Sequence, residues 1–560
     1  MHWIRTVTLA LTLACTATQA ATFMDHHDHV HTSTPIKHLV VIYQENVSFD
    51  HYFATYPHAT NAPGEPRFEA LPGTPMVNNL VTAHLLANNP NYLNRENGAG
   101  SAEPFRLDRS QASTADQNHD YTPEQQAYND GKADLFPAYT GRGTSGGVGA
   151  FGTSGQVMGY YDGNTVTALW NYAQHFAMDD NAYTDTYGPS TPGALEAISG
   201  QTDGAVIAVD GSKTQVPGSH LLPDGQGGLA LIGDIDPAGD VCSSSKSQIY
   251  MTGKNIGNLL NAADVTWGGF MGGFDLTRTN ANGTTGCRRS TYSGIVKETV
   301  TDYIPHHNWF QYYKSTANPT HARPSSIAAI GHTYEPGTQT RDPANHEYAL
   351  HDFFAAVKAG NFPAVSYIKA PAYEDGHAGY SDPLNEQAFI VKVVNFLEKQ
   401  PGWKNTAVVV TWDDSDGWYD HAYAFPTSSS YNAQADQLNG PGVCGSGTQP
   451  LGVHGKPVNG RCGPGTRIPF FVISPWAKRN HVSHTRISQA SIVRFIEDNW
   501  LGGERLGEGS FDNTAGSIMS MFDFAGRGHG DQSGPNGRMN PHARRLFLIE
   551  ATGEPVHGHR

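Results

Sequence analysis

Cysteine and positive charge are scarce in this chain, and after the first twenty residues no apolar run reaches the length a membrane span requires, about 20 residues. Each shortage removes a class of protein. Five cysteines, none in a Cys-x-x-Cys spacing, leave no framework for a zinc ribbon or a thiol-redox motif. No His-Glu-x-x-His pair occurs, so the helical zinc-protease site is missing as well. Lys and Arg number 36 against 52 Asp and Glu, for a formal net charge of -16. That balance argues against a nucleic-acid partner held through its phosphate backbone. Histidine is plentiful by contrast, with 27 residues that become cationic under mild acid.

The first segment, Met1 to Ala20, has Arg5, an apolar stretch from Val7 to Ala14 and small residues up to Ala20, which is the layout of an export signal. Residues 21–35 contain His26-His27-Asp28-His29-Val30-His31 and read as a disordered His-rich leader. A periplasmic or secreted location follows as an expectation, without a transmembrane anchor. Cys15 departs with the signal, and the other four cysteines allow three pairings. The two local ones, Cys242 with Cys287 and Cys444 with Cys462, are expected because each would clip a long excursion from the core. No Pro-rich or charged linker divides the remainder. It reads as one catalytic domain over 36–505 with insertions at about 205–300 and 425–465, followed by an extension over 506–560 packed on or trailing it.

Strand-like segments at 37–43, 205–209, 264–270, 364–370, 405–412 and 468–474 alternate with helical spacing at 164–178, 344–359, 384–399 and 487–501. Alternation of this kind predicts an α/β fold, a three-layer α/β/α sandwich around a mostly parallel sheet.

Two of the apolar strands end in oxygen ligands. Leu39-Val40-Val41-Ile42 runs into Gln44-Glu45-Asn46, and Ala407-Val408-Val409-Val410 runs into Asp413-Asp414-Ser415-Asp416-Gly417. Open α/β sheets bind ligands beyond the carboxyl ends of their strands, so these groups are aimed where a metal could sit. Adjacent residues of a regular strand face opposite ways. Either pair can therefore share one ion only after the chain leaves the extended form, a bend that Gly417 supports. The plain alternative for Asp413 and Asp414 is a helix cap or a solvated loop.

The segment Gly188-Pro189-Ser190-Thr191-Pro192-Gly193 reads as a tight turn opening a helix, with Ser190 or Thr191 at the cap. A hydroxyl there sits among unpaired N–H groups that also attract phosphate. Histidines recur in polar settings at His119, His306, His307 and His377. Phosphoryl transfer asks for such groups: donors for the equatorial oxygens, a metal to offset charge and an acid for the leaving oxygen. The Gly-rich stretch 141–156 also contains Gly143-Thr144-Ser145-Gly146-Gly147, a serine-esterase pattern, but no strand leads into it.

The Glu-Asn-x-Ser-Phe-Asp-His-Tyr-Phe segment from Glu45, the Gly-Pro-Ser turn, Pro305-His306-His307-Asn308 and the strand ending Asp413-Asp414 resemble the bacterial acid phosphatase/phospholipase C phosphoesterase family, related in fold to alkaline phosphatases. The four motifs lie in the family's order between about 36 and 505. The resemblance implies that Glu45, Asn46, Asp413 and Asp414 hold one divalent metal, with Ser190 as the nucleophile that also approaches it. It further implies that His119, His306, His307 and His377 surround the phosphate. All-oxygen ligands favour Ca, Mg or Mn.

Val47 stands where the phospholipase C branch has Arg, and the Gly188–Gly193 turn lacks that branch's Gly-Pro-Thr with a following Asn-Arg pair. No separate C-terminal β-domain is recognisable after 505. These departures lean toward an acid phosphatase acting on phosphate monoesters through a phosphoserine. A phospholipase C acting on phosphatidylcholine-type diesters is the alternative, and an exported protein that binds a phospho-ligand without turnover is the second.

Overall fold

Seven strands of one direction and one reversed strand form the central sheet of the computed structural model, which describes residues 31–209, 220–244, 246–525 and 547–556. In chain order they are β1 (His38–Gln44), β2 (Ala177–Asp179), β3 (Trp267–Met271), β4 (Glu347–Ala349), β5 (Val365–Lys369), β6 (Thr406–Trp412), β7 (Phe470–Ile473) and β8 (His481–Ser483). Their spatial order is β4-β3-β5-β1-β6-β7-β2-β8. Only β7 runs against its neighbours β6 and β2. The export signal and the leader through residue 30 lie outside the described residues, as does 526–546 of the C-terminal extension.

The eight helices that matter here are α1 (Phe49–Phe53), α2 (Tyr121–Tyr128), α3 (Thr167–His175), α4 (Ser190–Ser199), α5 (Ile256–Ala262), α6 (Leu350–Lys358), α7 (Pro383–Glu398) and α8 (Ala490–Trp500). α4, α5 and α8 cover one face of the sheet, where Tyr43 and Tyr367 donate their hydroxyls to the Gly193 and Ala197 carbonyls of α4. α3, α6 and α7 cover the other, where Trp412 donates to Glu386 of α7. With both faces covered, β1 and β6 are buried along nearly their whole length, which is why they read as unbroken apolar runs.

Register then decides where the chemistry falls. β1 pairs in parallel with β5 and β6, with Ile42 beside Ile368 and Val410, and Gln44 beside Trp412. Glu45-Asn46, Lys369 and Asp413-Asp414 therefore leave the sheet at one edge, side by side. The chain after β6 makes its long excursion at this edge and re-enters from it as β7, so β7 must run backward. Cys444–Cys462 closes part of that excursion, whereas Cys242–Cys287 joins the segment ahead of α5 to the one after β3 and so encloses a central strand rather than clipping an excursion.

Several expected elements divide differently. The 205–209 strand forms as Ala205–Val209, but in a side sheet with Gln248–Met251 and Asp236–Pro237 rather than in the central one. The helical stretches at 164–178 and 344–359 each yield a three-residue strand as well, β2 and β4. Strands of that length have too few residues to display a period of two. Beyond 505, Phe547 stacks on His175 of α3 at 3.6 Å between ring centroids, and Ile549 N donates to Asn395 Oδ1 at 3.1 Å.

Candidate active site

Directly after β1 the chain turns, with Asn46 at φ 62°, a left-handed conformation that Asn tolerates better than most residues. After β6 the corresponding turn has Asp416 at φ 56° and Gly417 at φ 74°. Both strands have left the extended form, so neighbouring side chains can aim at one point. The loops are locked together: Asp413 Oδ1 accepts Asn46 N at 3.1 Å and Asp414 N at 2.8 Å, while Asp414 Oδ1 accepts Asp416 N at 2.6 Å. No helix follows Asp413 and Asp414 directly, so neither serves as a helix cap.

Ser190 is the first residue of α4, and Pro189 rather than a hydroxyl residue occupies the cap position. The expected capping role for Ser190 or Thr191 is thereby corrected, and the Ser190 hydroxyl is left for other work. Its Oγ lies 2.9 Å from Glu45 Oε2, 3.2 Å from Asp414 Oδ2 and 3.3 Å from Asn46 Oδ1. A hydroxyl has one proton and cannot serve three acceptors. Lone pairs that crowd one buried point in this way suit a cation, and Glu45, Asp413 and Asp414 each bring a carboxylate oxygen within 4.8 Å of the others.

Charge leads to the same conclusion. Lys369, at the end of β5, is buried, with Nζ against Glu45 Oε1 and 3.1 Å from Asp413 Oδ2. One ammonium among three buried carboxylates leaves two negative charges, which a divalent cation would balance. Without such a cation, burial, reinforced by Glu45 beside them, lifts the Asp413 and Asp414 carboxyls well above the usual carboxylate range and favours their neutral forms, so their full charge calls for a cation to offset it. The donor set, all oxygen, fits Ca, Mg or Mn.

The four histidines gather around this centre in two electrostatic states. Burial opposes a charge on His119, but the carboxylates of Asp416, Asp116 and Asp234 outweigh it and hold its pKa up at about 9. His119 Nδ1 lies 3.3 Å from Asp416 Oδ1, and Nε2 lies 3.3 Å from the Asn46 amide nitrogen. His306 is raised too, burial again being outweighed by Asp234 and Asp236. His307 Nδ1 sits 3.1 Å from Glu45 Oε1, yet burial, with His306 and Lys369 nearby, keeps it well below the ordinary histidine value. Burial likewise pulls His377 down to about 4, and its Nδ1 is 2.6 Å from the Ala378 carbonyl oxygen. The His377 ring stands 5.7 Å from that of His119 and 6.4 Å from that of His307.

All nine sequence candidates, Glu45, Asn46, His119, Ser190, His306, His307, His377, Asp413 and Asp414, thus meet at one edge of the sheet. Ser145 is an exposed turn residue apart from any strand. Sequence reasoning missed Lys369, although it ends an apolar strand in the same manner as Glu45 and that rule would have found it. It also missed Glu124 of α2, whose Oε1 accepts Ser415 Oγ at 2.6 Å and whose Oε2 accepts Gly188 N at 3.1 Å. Glu124 joins the Asp413–Gly417 loop to the serine turn from 64 residues before Gly188 in sequence, and no local pattern announces it.

Fold and site together define an α/β protein with a buried serine beside an oxygen-lined candidate cation position at the carboxyl edge of its sheet. The chain belongs to the Phosphoesterase family, whose model matches residues 36–501. It is 26% identical over 530 residues to a non-hemolytic phospholipase C of Pseudomonas aeruginosa, covering 92% of this chain and 61% of that protein. It is 23% identical over 507 residues to phospholipase C A of Mycobacterium tuberculosis, covering 88% of this chain and 78% of that one. The chain accordingly spans less than two thirds of the Pseudomonas relative's length. A phosphonate monoester hydrolase from Silicibacter pomeroyi overlays with a TM-score of 0.25 at 12% identity, over 60% of this chain and 69% of that one.

Proposed function

We propose that this protein is an exported, metal-dependent phosphoesterase that hydrolyses phosphate monoesters through a phosphoseryl intermediate at Ser190. The observation that carries the reading is the Ser190 hydroxyl, buried at a helix start and within 3.3 Å of oxygens from Glu45, Asn46 and Asp414. Pure ligand capture has no use for that arrangement. A divalent cation held by Glu45, Asn46, Asp413 and Asp414 would offset charge on the serine and phosphoryl oxygens.

In the first step Ser190 Oγ forms a bond to phosphorus while the bond to the departing alcohol oxygen breaks. The serine proton passes to the nearest carboxylate oxygen, Glu45 Oε2, and a protonated histidine gives its proton to the alcohol. His119 and His306 are the two that favour the charged form. In the second step water attacks phosphorus and gives a proton to the now neutral histidine, the Ser190 oxygen departs and takes back its proton from Glu45, and phosphate leaves. His307 and His377, held neutral, donate or accept single hydrogen bonds without adding charge. Against burial, the carboxylates of Asp416, Asp116 and Asp234 favour the protonated form of His119, which suits it to proton donation.

A monoester phosphoryl group carries about two negative charges near neutral pH. Two cationic histidines beside a divalent ion suit that charge better than the single charge of a diester. Phospholipase C activity on a phospholipid diester is the second reading, favoured by relatives of that name matching 92% and 88% of this chain. Export is supported by the two disulfides, which belong to an oxidising compartment. The test is a panel of a phosphate monoester, a phosphodiester and phosphatidylcholine, each with and without chelator. Release of phosphate from the monoester, abolished by chelator, is expected. Turnover of phosphatidylcholine alone would move the assignment to the second reading, and no turnover of any ester would end both.

A further inference from the structure

The chain between α4 and α5, an insertion that ends before β3, reaches the site through the short segment Asp234-Ile235-Asp236. Asp234 Oδ1 accepts both Thr191 N and Thr191 Oγ1 at 2.9 Å, in the first turn of α4 and one residue beyond Ser190. Asp234 Oδ2 lies 3.9 Å from His306 Nε2, and Asp236 Oδ1 lies 3.6 Å from His306 Nδ1. Behind them Tyr312 donates its hydroxyl to the Ile235 carbonyl at 2.7 Å, 3.3 Å from the His306 carbonyl oxygen. The insertion, the serine helix and the His306 turn, distant in sequence, are thus tied at one point. Each nitrogen of the His306 ring faces a carboxylate.

We propose that Asp234, backed by Asp236, is a positioning residue of this centre: it fastens the first turn of α4 to the His306 turn and serves as the countercharge that fixes the proton on His306. The proposal rests on the phosphoesterase reading, in which His306 faces the phosphoryl group. Asp234 anchors through a backbone N–H at a helix start, where a negative charge is stabilised in any case. Its second oxygen is then free to turn to the imidazole. The other groups that bear on His306 are His307, with ring centroids 4.6 Å apart, and Glu45; His119 in turn acts electrostatically on Asp234. Thr191 and Tyr312 bring no charge of their own. With His307 neutral, Asp234 and Asp236 dominate the field at His306.

The experiment uses the full chain labelled with carbon-13 histidine, with the His306 signal assigned by its loss in His306→Gln. Opposite charges at these distances shift a pKa by about one unit or more. Asp234→Asn should therefore lower the His306 midpoint by about one pH unit and reduce kcat at least tenfold, moving the alkaline limb of the rate profile in the same direction. Asp234→Glu should restore most of the midpoint, and Asp236→Asn should give a smaller shift of the same sign. Thr191→Val should leave the midpoint in place while lowering kcat, because it removes the hydroxyl half of the tether, keeps the backbone N–H half and does not touch the charge. An unchanged His306 midpoint in both Asp234→Asn and Asp236→Asn would overturn the proposal, and if Asp234→Asn does not fold, Asp236→Asn decides. A wild-type protein that hydrolyses no phosphate ester would remove the enzymatic reading, while the midpoint shifts would still stand or fall by themselves.

Discussion

Lys369→Met isolates the charge balance on which the candidate site depends. The wild-type ammonium is buried and touches two carboxylates, Glu45 and Asp413, with Asp414 beyond them. Methionine keeps the side chain's length and apolar stem but leaves those oxygens without a cation. Removing one partner of a buried ion pair costs about 3–5 kcal/mol. Part of that cost is recoverable, because Asp413 already has a raised pKa and can take a proton in place of the ammonium. The loss should accordingly be large at pH 8 and smaller at pH 5. A divalent cation should also recover part of it, about 2.7 kcal/mol at a concentration one hundred times its dissociation constant. Its affinity should rise in the variant, since one positive charge beside it has gone. The assay is thermal or urea unfolding of both proteins in chelator at the two pH values, followed by titration with Mg, Mn or Ca. A Lys369→Met protein as stable as wild type in chelator at pH 8 would show that the three carboxylates are not charged together, and the case for a divalent cation would lose its electrostatic half.

Three other substitutions address separate links. Ser190→Ala should abolish ester turnover with little change in melting temperature, because Ser190 caps nothing; retained activity would transfer the nucleophile's role. Gly193→Ala should cost about 1–3 kcal/mol, since a Cβ there would stand 2.0 Å from the Asp413 carbonyl oxygen, and it should lower kcat by pushing α4 off the Asp413-Asp414 loop. An active, equally stable variant would mean that the helix-to-loop spacing is not fixed by this contact. Glu386, buried between Tyr52 and Trp412, has its pKa raised from 4.5 to about 8, chiefly by burial. A raised pKa contributes stability that is complete below about 4.5 and lost as pH rises through about 8. The melting temperature of Glu386→Gln relative to wild type should therefore climb from pH 5 to pH 9, and a difference that stays flat would show that Glu386 does not change protonation on unfolding in that range.

The parts of this structure that could be read in advance are those whose cause is local. Val40–Ile42 and Val408–Val410 are apolar without interruption because helices cover both faces of the sheet, and polar residues begin where the strands emerge from it. Glu45, Asn46, Asp413 and Asp414 could be found from that boundary alone. The three-residue strands β2 and β4 could not, because their place is set by neighbours rather than by a period. The cap at α4 departs from propensity for a related reason. Serine is a good cap by propensity, but here its oxygen is drawn toward Glu45 and Asp414, and Pro189 takes the cap position in its stead.

What stayed hidden is the set of residues that hold the site rather than form it. Glu124, Lys369 and Asp234 come from a helix, a neighbouring strand and an insertion, and each acts on a group far away in sequence. Their common feature is that they are buried or half-buried ionisable groups that make sense only against a hydrogen-bond partner or charge supplied by another element. A parallel sheet explains why such residues are needed. It delivers Glu45, Lys369, Asp413 and Asp414 to one edge without cost in topology, but the convergence places three carboxylates within 4.8 Å, an arrangement that repels itself. Lys369 offsets one charge, and the geometry of Ser190 marks the place where a cation would offset the rest. Around that core, Glu124 fixes the serine turn from one side through Gly188 N, and Asp234 fixes it from the other through Thr191 N. The Ser190 oxygen is thereby held between two carboxylate anchors that do not compete for it. Substituting both anchors with Asn or Gln together should consequently reduce kcat by more than the product of the single effects if they share the task of holding one turn. Effects that simply multiply would mean that each anchor acts on a different part of the site.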